Sequence, residues 1–171
     1  MTETPQEFDV DAWIDGAERP ARSVTVYQRA GLIADLDALA ERILNADDEE
    51  VDGPSMGGGI GKLRAEYQKL AQQFHDSGLT VRVAGHDEAE KRDFAKANPD
   101  PDANGLAWIV LSDAIQSPKV SPDQVKRLAG AVGEAQFSRV LVAYHQASTE
   151  IPTVSADFLP KRSTPDDGGE S

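Results

Sequence analysis

Two stretches of the chain place apolar residues at alternating steps of three and four positions. This spacing puts the apolar side chains on one face of a helix, with charged residues on the other faces. The first seam consists of Leu32, Leu36, Leu39 and Ile43, and the second of Ile60, Leu63, Tyr67, Leu70 and Phe74. The acidic, glycine-rich segment at residues 46–59 is predicted to be a loop that joins the two helices, so they are predicted to pack antiparallel and to bury both seams.

Two short runs rich in β-branched residues flank these predicted helices. They read SVTVY at residues 23–27 and LTVRV at residues 79–83. Alternating β-branched and apolar residues are typical of short strands. An antiparallel pair of helices brings the two runs side by side, so they are predicted to form a two-stranded antiparallel pair.

The second half of the chain has the pattern of a small helical bundle. Asp87 with Glu90, and Ser121 with Gln124, match the capping box that begins a helix. The helices are predicted to start near residues 88, 104, 122 and 134, and the second of them carries Ile115. The last helix is predicted to turn four side chains inward, those of Phe137, Val140, Leu141 and Tyr144.

These elements predict a mainly α fold, in which a helical hairpin with a two-stranded β pair is followed by a small helical bundle. Both ends of the chain are polar and contain several prolines, so they are predicted to be flexible. Four segments result: an N-terminal arm at residues 1–22, the strand-helix-helix-strand hairpin at 23–84, the bundle at 85–149 and a disordered tail at 150–171.

Charge and composition exclude several classes of protein. The chain has 30 acidic and 17 basic residues, a formal net charge of -13, which repels nucleic-acid phosphates and anionic lipid. No apolar run is long enough to cross a bilayer. The absence of cysteine rules out disulfides and fits a reducing compartment. We therefore expect a cytoplasmic protein that binds neither nucleic acid nor membrane.

Candidate chemistry is weak throughout the chain. The run MGGGIGK at residues 56–62 is similar to a phosphate-binding loop, but Met56 replaces the first glycine and Leu63 replaces the final serine or threonine. Three scattered histidines lack metal-ligand spacing and are interpreted as surface or helix-end residues: His75, His86 and His145. No nucleophile elbow is present. We expect no enzymatic activity, no metal and no cofactor.

Apolar residues within the polar ends of the chain are the best candidates for contact with a partner. They are Phe8, Trp13 and Ile14 in the arm, and Phe158 and Leu159 in the tail. Each group either folds onto the protein's own core or docks onto another protein, and the sequence leaves both alternatives open. Self-association through the seams is a further alternative, although each seam spans only about two heptads.

Several parts of the chain resemble the tail assembly chaperones of long-tailed bacteriophages, particularly those that infect actinobacteria. The second half carries VRVAGHDEAEKRDFAKANP at residues 81–99, LAWIVLSDAIQSPKVSPDQVKRLAGAVGEAQFSRVLVAYHQAS at 106–148 and PTVSADFL at 152–159. The opening FDVDAWIDGAERPARSVTVYQRAGLIADLDAL at residues 8–39 also resembles the start of such proteins. In that family an apolar helix is followed by a capped helix, a "G-E-x-Q-F" junction, an aromatic-bearing last helix and an apolar-tipped tail.

The resemblance implies a non-enzymatic assembly factor that binds the tape measure protein, together with tail tube subunits, in the cytoplasm of the infected host cell. Such a chaperone is not expected in the mature virion, and members of the family are commonly made in a short and a longer, frameshifted form. The alternative is a phage structural, connector or scaffold protein that is retained in the particle. A stoichiometric amount of the chain among purified virion proteins would indicate this alternative.

Overall fold

The computed structural model describes residues 8–50, 59–99 and 102–154, and for residues 47–50 and 103 the backbone alone. These ranges are mainly helical and contain a small antiparallel sheet, which confirms the predicted fold class at this level. Their elements are α1 (Val10–Asp15), β1 (Ala21–Tyr27), α2 (Leu32–Glu50), α3 (Gly59–Asp76), β2 (Gly78–Ala84), α4 (Glu88–Ala97), α5 (Ala103–Ala114), β3 (Ile115–Ser117), α6 (Pro122–Val132) and α7 (Glu134–Thr149). None of the described helices combines the length and hydropathy that a bilayer crossing requires.

Strands β1 and β2 form the antiparallel pair predicted from their alternating side chains. Val24 lies opposite Val81 in the register. Because successive side chains of a strand point to opposite faces of the sheet, Val26 and Val83 share the face of this pair. All four valines are buried, so this is the inner face of the sheet.

A third strand completes the sheet in the order β1-β2-β3, so the prediction of only two strands is wrong. The apolar pattern assigns Ile115 to helix α5, but the helix ends at Ala114 and Ile115 pairs with Val83 of β2. The Ile115 N–H still donates to the Leu111 carbonyl, while its backbone is extended. Since the β-branched side chain becomes 1% exposed in this position, pairing with β2 is favoured over another helical residue.

The hydrophobic core lies between the inner face of the sheet and helices α5, α6 and α7. It combines side chains of segment 23–84 with those of segment 85–149. The buried cluster consists of Val24, Val26, Val81, Val83, Leu111, Ala114, Ile115, Val125, Phe137, Val140 and Ala143. Each fully buried valine in it contributes about 1.5–3 kcal/mol relative to an exposed one. The sheet and the last three helices therefore share one core.

Helices α2 and α3 carry the two seams and have their main contacts with each other. Leu39 is buried, and the other seam residues are half-buried apart from the exposed Tyr67. The pair joins the sheet at its end, where the Tyr27 ring stacks on the Phe74 ring with centroids 4.2 Å apart. The two helices thus extend from the sheet instead of covering it.

Both predicted capping boxes are present. The Asp87 carboxylate accepts from the Glu90 N–H at 2.8 Å, and the Glu90 carboxylate accepts from the Asp87 N–H at 3.0 Å. The Ser121 hydroxyl accepts from the Gln124 N–H at 3.2 Å, with the reciprocal bond at 2.8 Å. Each cap stabilises its helix by about 1 kcal/mol. The first box sets the start of α4 directly after β2.

Candidate functional site

Helix α1 has an apolar face that the rest of the described chain leaves uncovered. The Asp9 carboxylate caps the helix by accepting from the Ala12 N–H at 3.0 Å. Val10, Trp13 and Ile14 then share one face, because residues three and four apart are neighbours on a helix. Trp13 is 62% exposed, Ile14 is 56% exposed, and no residue of α1 is buried. We call these three residues the α1 face.

The base of the arm is attached to the start of helix α4. The Arg19 guanidinium forms an ion pair with the Glu90 carboxylate. One residue later, the Pro20 carbonyl accepts from the Gly85 N–H at 3.2 Å. These two contacts place the arm beside the end of β2, so the α1 face projects from a defined point on the molecule.

The electrostatics of this attachment lower two pKa values. The Arg19 guanidinium and the Asp87 N–H donate to the Glu90 carboxylate and hold its pKa below the ordinary value of 4.5. The Glu90 N–H donates to the Asp87 carboxylate and lowers its pKa below 3.8. Both carboxylates are therefore ionised at neutral pH, and the attachment depends on that ionisation.

Acidification is expected to weaken this attachment. Because the folded pKa values of Glu90 and Asp87 lie below those of the unfolded chain, their stabilising contribution is complete above the ordinary values and is lost as the pH falls through the lowered ones. Between about pH 7 and about pH 3, the free energy of unfolding should fall less for Glu90→Gln than for the natural chain. Glu41→Gln on the exposed surface of α2 is the control. Equal losses in the two variants would contradict the role of Glu90.

A second apolar surface is a depression between α5 and α7. Its volume is about 400 Å³, and its lining consists of Leu106, Ala107, Val110 and Leu111 of α5 with Leu141 and Tyr144 of α7. Lys91 of α4 completes the lining. Burial raises the pKa of Tyr144, so its phenol is neutral at physiological pH. We call this surface the depression; it is apolar apart from one lysine and one phenol.

The exposure of Leu141 contradicts part of the prediction for the last helix. The pattern places it inward with Phe137 and Val140, but Leu141 is 44% exposed whereas Val140 is fully buried. One residue advances a helix by about 100°, and the buried positions of α7 follow the line of Phe137, Val140, Ala143 and Ala147. Leu141 lies one step off this line, so its side chain reaches the depression instead of the core.

His86 is a buried residue at the end of β2 that contacts α4, α5 and α7. It is 5% exposed, directly before α4. Its Nε2 lies 2.9 Å from Asp113 Oδ2 of α5, and its Nδ1 lies 3.2 Å from the Tyr144 hydroxyl of α7. Its backbone N–H donates to the Ser148 hydroxyl at 3.2 Å, and its ring meets the Phe94 ring edge to face at 5.2 Å. We call His86, Asp113 and Tyr144 the histidine cluster.

The interpretation of all three histidines as surface or helix-end residues is therefore wrong for His86. His75 and His145 are exposed, but His86 is inside the protein. Both ring nitrogens of His86 have side-chain partners, so the geometry is that of a polar link between helices, with no ring nitrogen directed to a substrate. Its sequence position, between a strand and a capping box, contains no signal of burial.

The predicted partner-binding residues fall into two groups. Those of the arm are on the surface: Phe8 is 68% exposed, and Trp13 and Ile14 belong to the α1 face. Phe158 and Leu159 lie outside the described residues, although the chain just before them carries the exposed Ile151 and Val154. The described apolar side chains of the arm are exposed, so they do not fold onto the core, which was one of the two alternatives for the arm.

Metal-binding geometry is missing from the described ranges, where no group of three or more histidine, aspartate or glutamate side chains has the arrangement to hold an ion. Of the glycine-rich run at residues 56–62, residues 59–62 form the first turn of α3, and residues 56–58 lie outside the described residues. The α1 face and the depression are the candidate functional sites.

Comparison of the chain with protein-family models, with curated proteins and with solved structures gives no match. The α1 face and the depression are exposed apolar surfaces, and surfaces of this kind are candidates for contact with another molecule.

Proposed function

We propose that this protein is a tail assembly chaperone of a long-tailed bacteriophage, which binds the tape measure protein and tail tube subunits in the host cytoplasm. The resemblance to that family of residues 8–39, 81–99, 106–148 and 152–159 supports the proposal, together with the acidic charge and the apolar surfaces. The observation that carries it is the α1 face: Trp13 and Ile14 are exposed on a helix without a buried residue. A surface of this kind is expected to have a partner.

The physical basis of the proposal is the need to cover apolar helices before assembly. As the resemblance implies, a tape measure protein is long and helical, and its apolar surface is exposed until the tail tube encloses it. Aromatic and aliphatic anchors on a short helix fit such a target, because they dock with little loss of conformational entropy. The net charge of -13 keeps the complex from self-association by repulsion between like-charged chaperones.

The finer architecture belongs to the same proposal. We infer that α2 and α3 form an antiparallel hairpin that extends from the sheet, and that α4 to α7 form one bundle whose exposed face is an additional contact surface. Phe158 and Leu159 of the tail remain proposed anchors beside Phe8, Trp13 and Ile14. The protein is proposed to dissociate from the phage tail before the virion is complete.

Loss of the α1 face is expected to weaken partner binding strongly. The double variant Trp13→Ala, Ile14→Ala removes two exposed anchors, and such hot-spot truncations cost about 2 kcal/mol or more, about a thirtyfold rise in Kd. The free energy of unfolding should stay within about 0.5 kcal/mol of the natural chain, since neither residue is buried. Calorimetric titration with the tape measure protein of the same phage measures both the affinity and its loss.

A matched control is available on another helix. Leu44 of α2 is 66% exposed, about as much as Trp13 at 62%, and does not belong to the α1 face. Leu44→Ala should leave the affinity unchanged. If the double variant binds as tightly as Leu44→Ala, the α1 face is not the contact surface. If neither variant nor the natural chain binds the tape measure protein, the chaperone proposal itself fails.

A further inference from the structure

The depression is an apolar surface that the described chain does not fill. Leu106 and Val110 line it from α5, and Leu141, which is 44% exposed, lines it from α7. Exposed apolar surface of this kind favours an occupant. The segment that follows α7 is the candidate occupant, because its starting point, its length and its chemistry fit the depression.

The end of the described chain runs toward helix α4. The Glu150 carboxylate pairs with Arg22 at 2.9 Å, directly after α7 ends. Ile151 and Pro152 then line a cleft together with Glu90. Lys91, the next residue of α4, lines the depression. The chain therefore passes the start of α4, the helix whose Lys91 lines the depression.

The length of the remaining chain is sufficient to reach it. From Glu150 back to Leu141, the nine residues of α7 span about 14 Å at the helical rise. Pro152 lies two steps beyond Glu150, at most about 7 Å farther, and the seven steps from Pro152 to Leu159 span about 24 Å when extended. This length is sufficient for Leu159 to reach Leu141.

The chemistry of the segment matches that of the depression. Residues 155–159 read SADFL, so one carboxylate precedes an aromatic and an aliphatic side chain. The depression has an apolar lining with Lys91 as its one cation. Lys91 pairs with Glu88 at 2.9 Å, but the Glu88 side chain is 82% exposed, and a pair this open is weak enough for Lys91 to accept a second carboxylate.

We propose that the depression binds the chain's own segment 155–159, with Phe158 and Leu159 on the apolar lining and Asp157 beside Lys91. The contact covers the exposed side chain of Leu141 and the rest of the apolar lining of the depression. This contact goes beyond the proposed function, because it competes with any partner that binds residues 155–159. A partner that takes Phe158 and Leu159 must first displace them from the depression.

The absence of cysteine from the natural chain allows a direct test by crosslinking. Ala107 is exposed and lines the depression, so Ala107→Cys with Pro160→Cys places one thiol on each side of the proposed contact. The control pairs Pro160→Cys with Ala131→Cys, since Ala131 is also exposed and lines a separate apolar surface beside α6. Docking raises the effective concentration of the first pair, so its intramolecular disulfide should form about tenfold faster or more.

The outcomes separate the possible occupants. Faster disulfide formation within the monomer, lost again on adding Phe158→Ala and Leu159→Ala, supports docking of the chain's own tail. Equal rates for the Ala107 and Ala131 pairs overturn it, because the tail then has no preferred site. Disulfides that form only between two copies also overturn it and assign the depression to a second molecule. None of these results bears on tape measure binding, which the titrations above measure separately.

Discussion

Gly85→Ala is expected to destabilise the protein by at least about 3 kcal/mol, at the upper end of the cost of overpacking. A Cβ added to Gly85 would lie 2.3 Å from the Ala147 carbonyl oxygen and 2.6 Å from the Ser148 Cα. These are backbone atoms of α7, so the helix itself has to move away from the end of β2. Because Gly85 does not have left-handed backbone geometry, the cost is steric.

Gly130→Ala is the matched control for this prediction. Gly130 lies within α6, and an added Cβ meets no atom within 4 Å. The substitution should stabilise the protein by about 0.5–1 kcal/mol, since alanine is the better helix former. Urea unfolding followed by circular dichroism compares the two variants. If Gly85→Ala is as stable as Gly130→Ala, α7 does not pack on β2 as closely as described.

The elements that the sequence predicts well are those with local causes. Strands β1 and β2 are predicted from alternating side chains such as Val24 and Val26. The starts of α4 and α6 are predicted from capping boxes, in each of which the two residues are three positions apart. Strand β3 has no such cause. Its three residues become a strand only because the edge of β2 is there to pair with Ile115, which is distant in sequence.

The same distinction applies to the candidate sites. The exposure of Trp13 and Ile14 can be anticipated because they interrupt a polar arm. The depression cannot, since Leu141 has an inward position on the periodic pattern and its exposure depends on how α7 rotates against the sheet. His86 is the clearest case: its partners Asp113 and Tyr144 are 27 and 58 residues away, and no local spacing connects them.

The histidine cluster leads to the second large expected effect. His86→Ala should destabilise the protein by about 2–4 kcal/mol, because it leaves a cavity inside the fold and removes a partner of the Tyr144 hydroxyl. The cluster links the end of β2 to α5 and α7, so the loss should appear in the cooperative unfolding transition and not only locally. The midpoint of urea unfolding, at unchanged slope, measures the loss.

His145→Ala provides the comparison, because His145 is on the same helix as Tyr144 but is exposed. It should change the free energy of unfolding by less than about 0.5 kcal/mol. Asp113→Ala in the His86→Ala background should cost less than in the natural chain, since the bond between the two side chains is already absent. If His86→Ala costs no more than His145→Ala, His86 is not a buried link, and β2, α5 and α7 are held together by apolar packing alone.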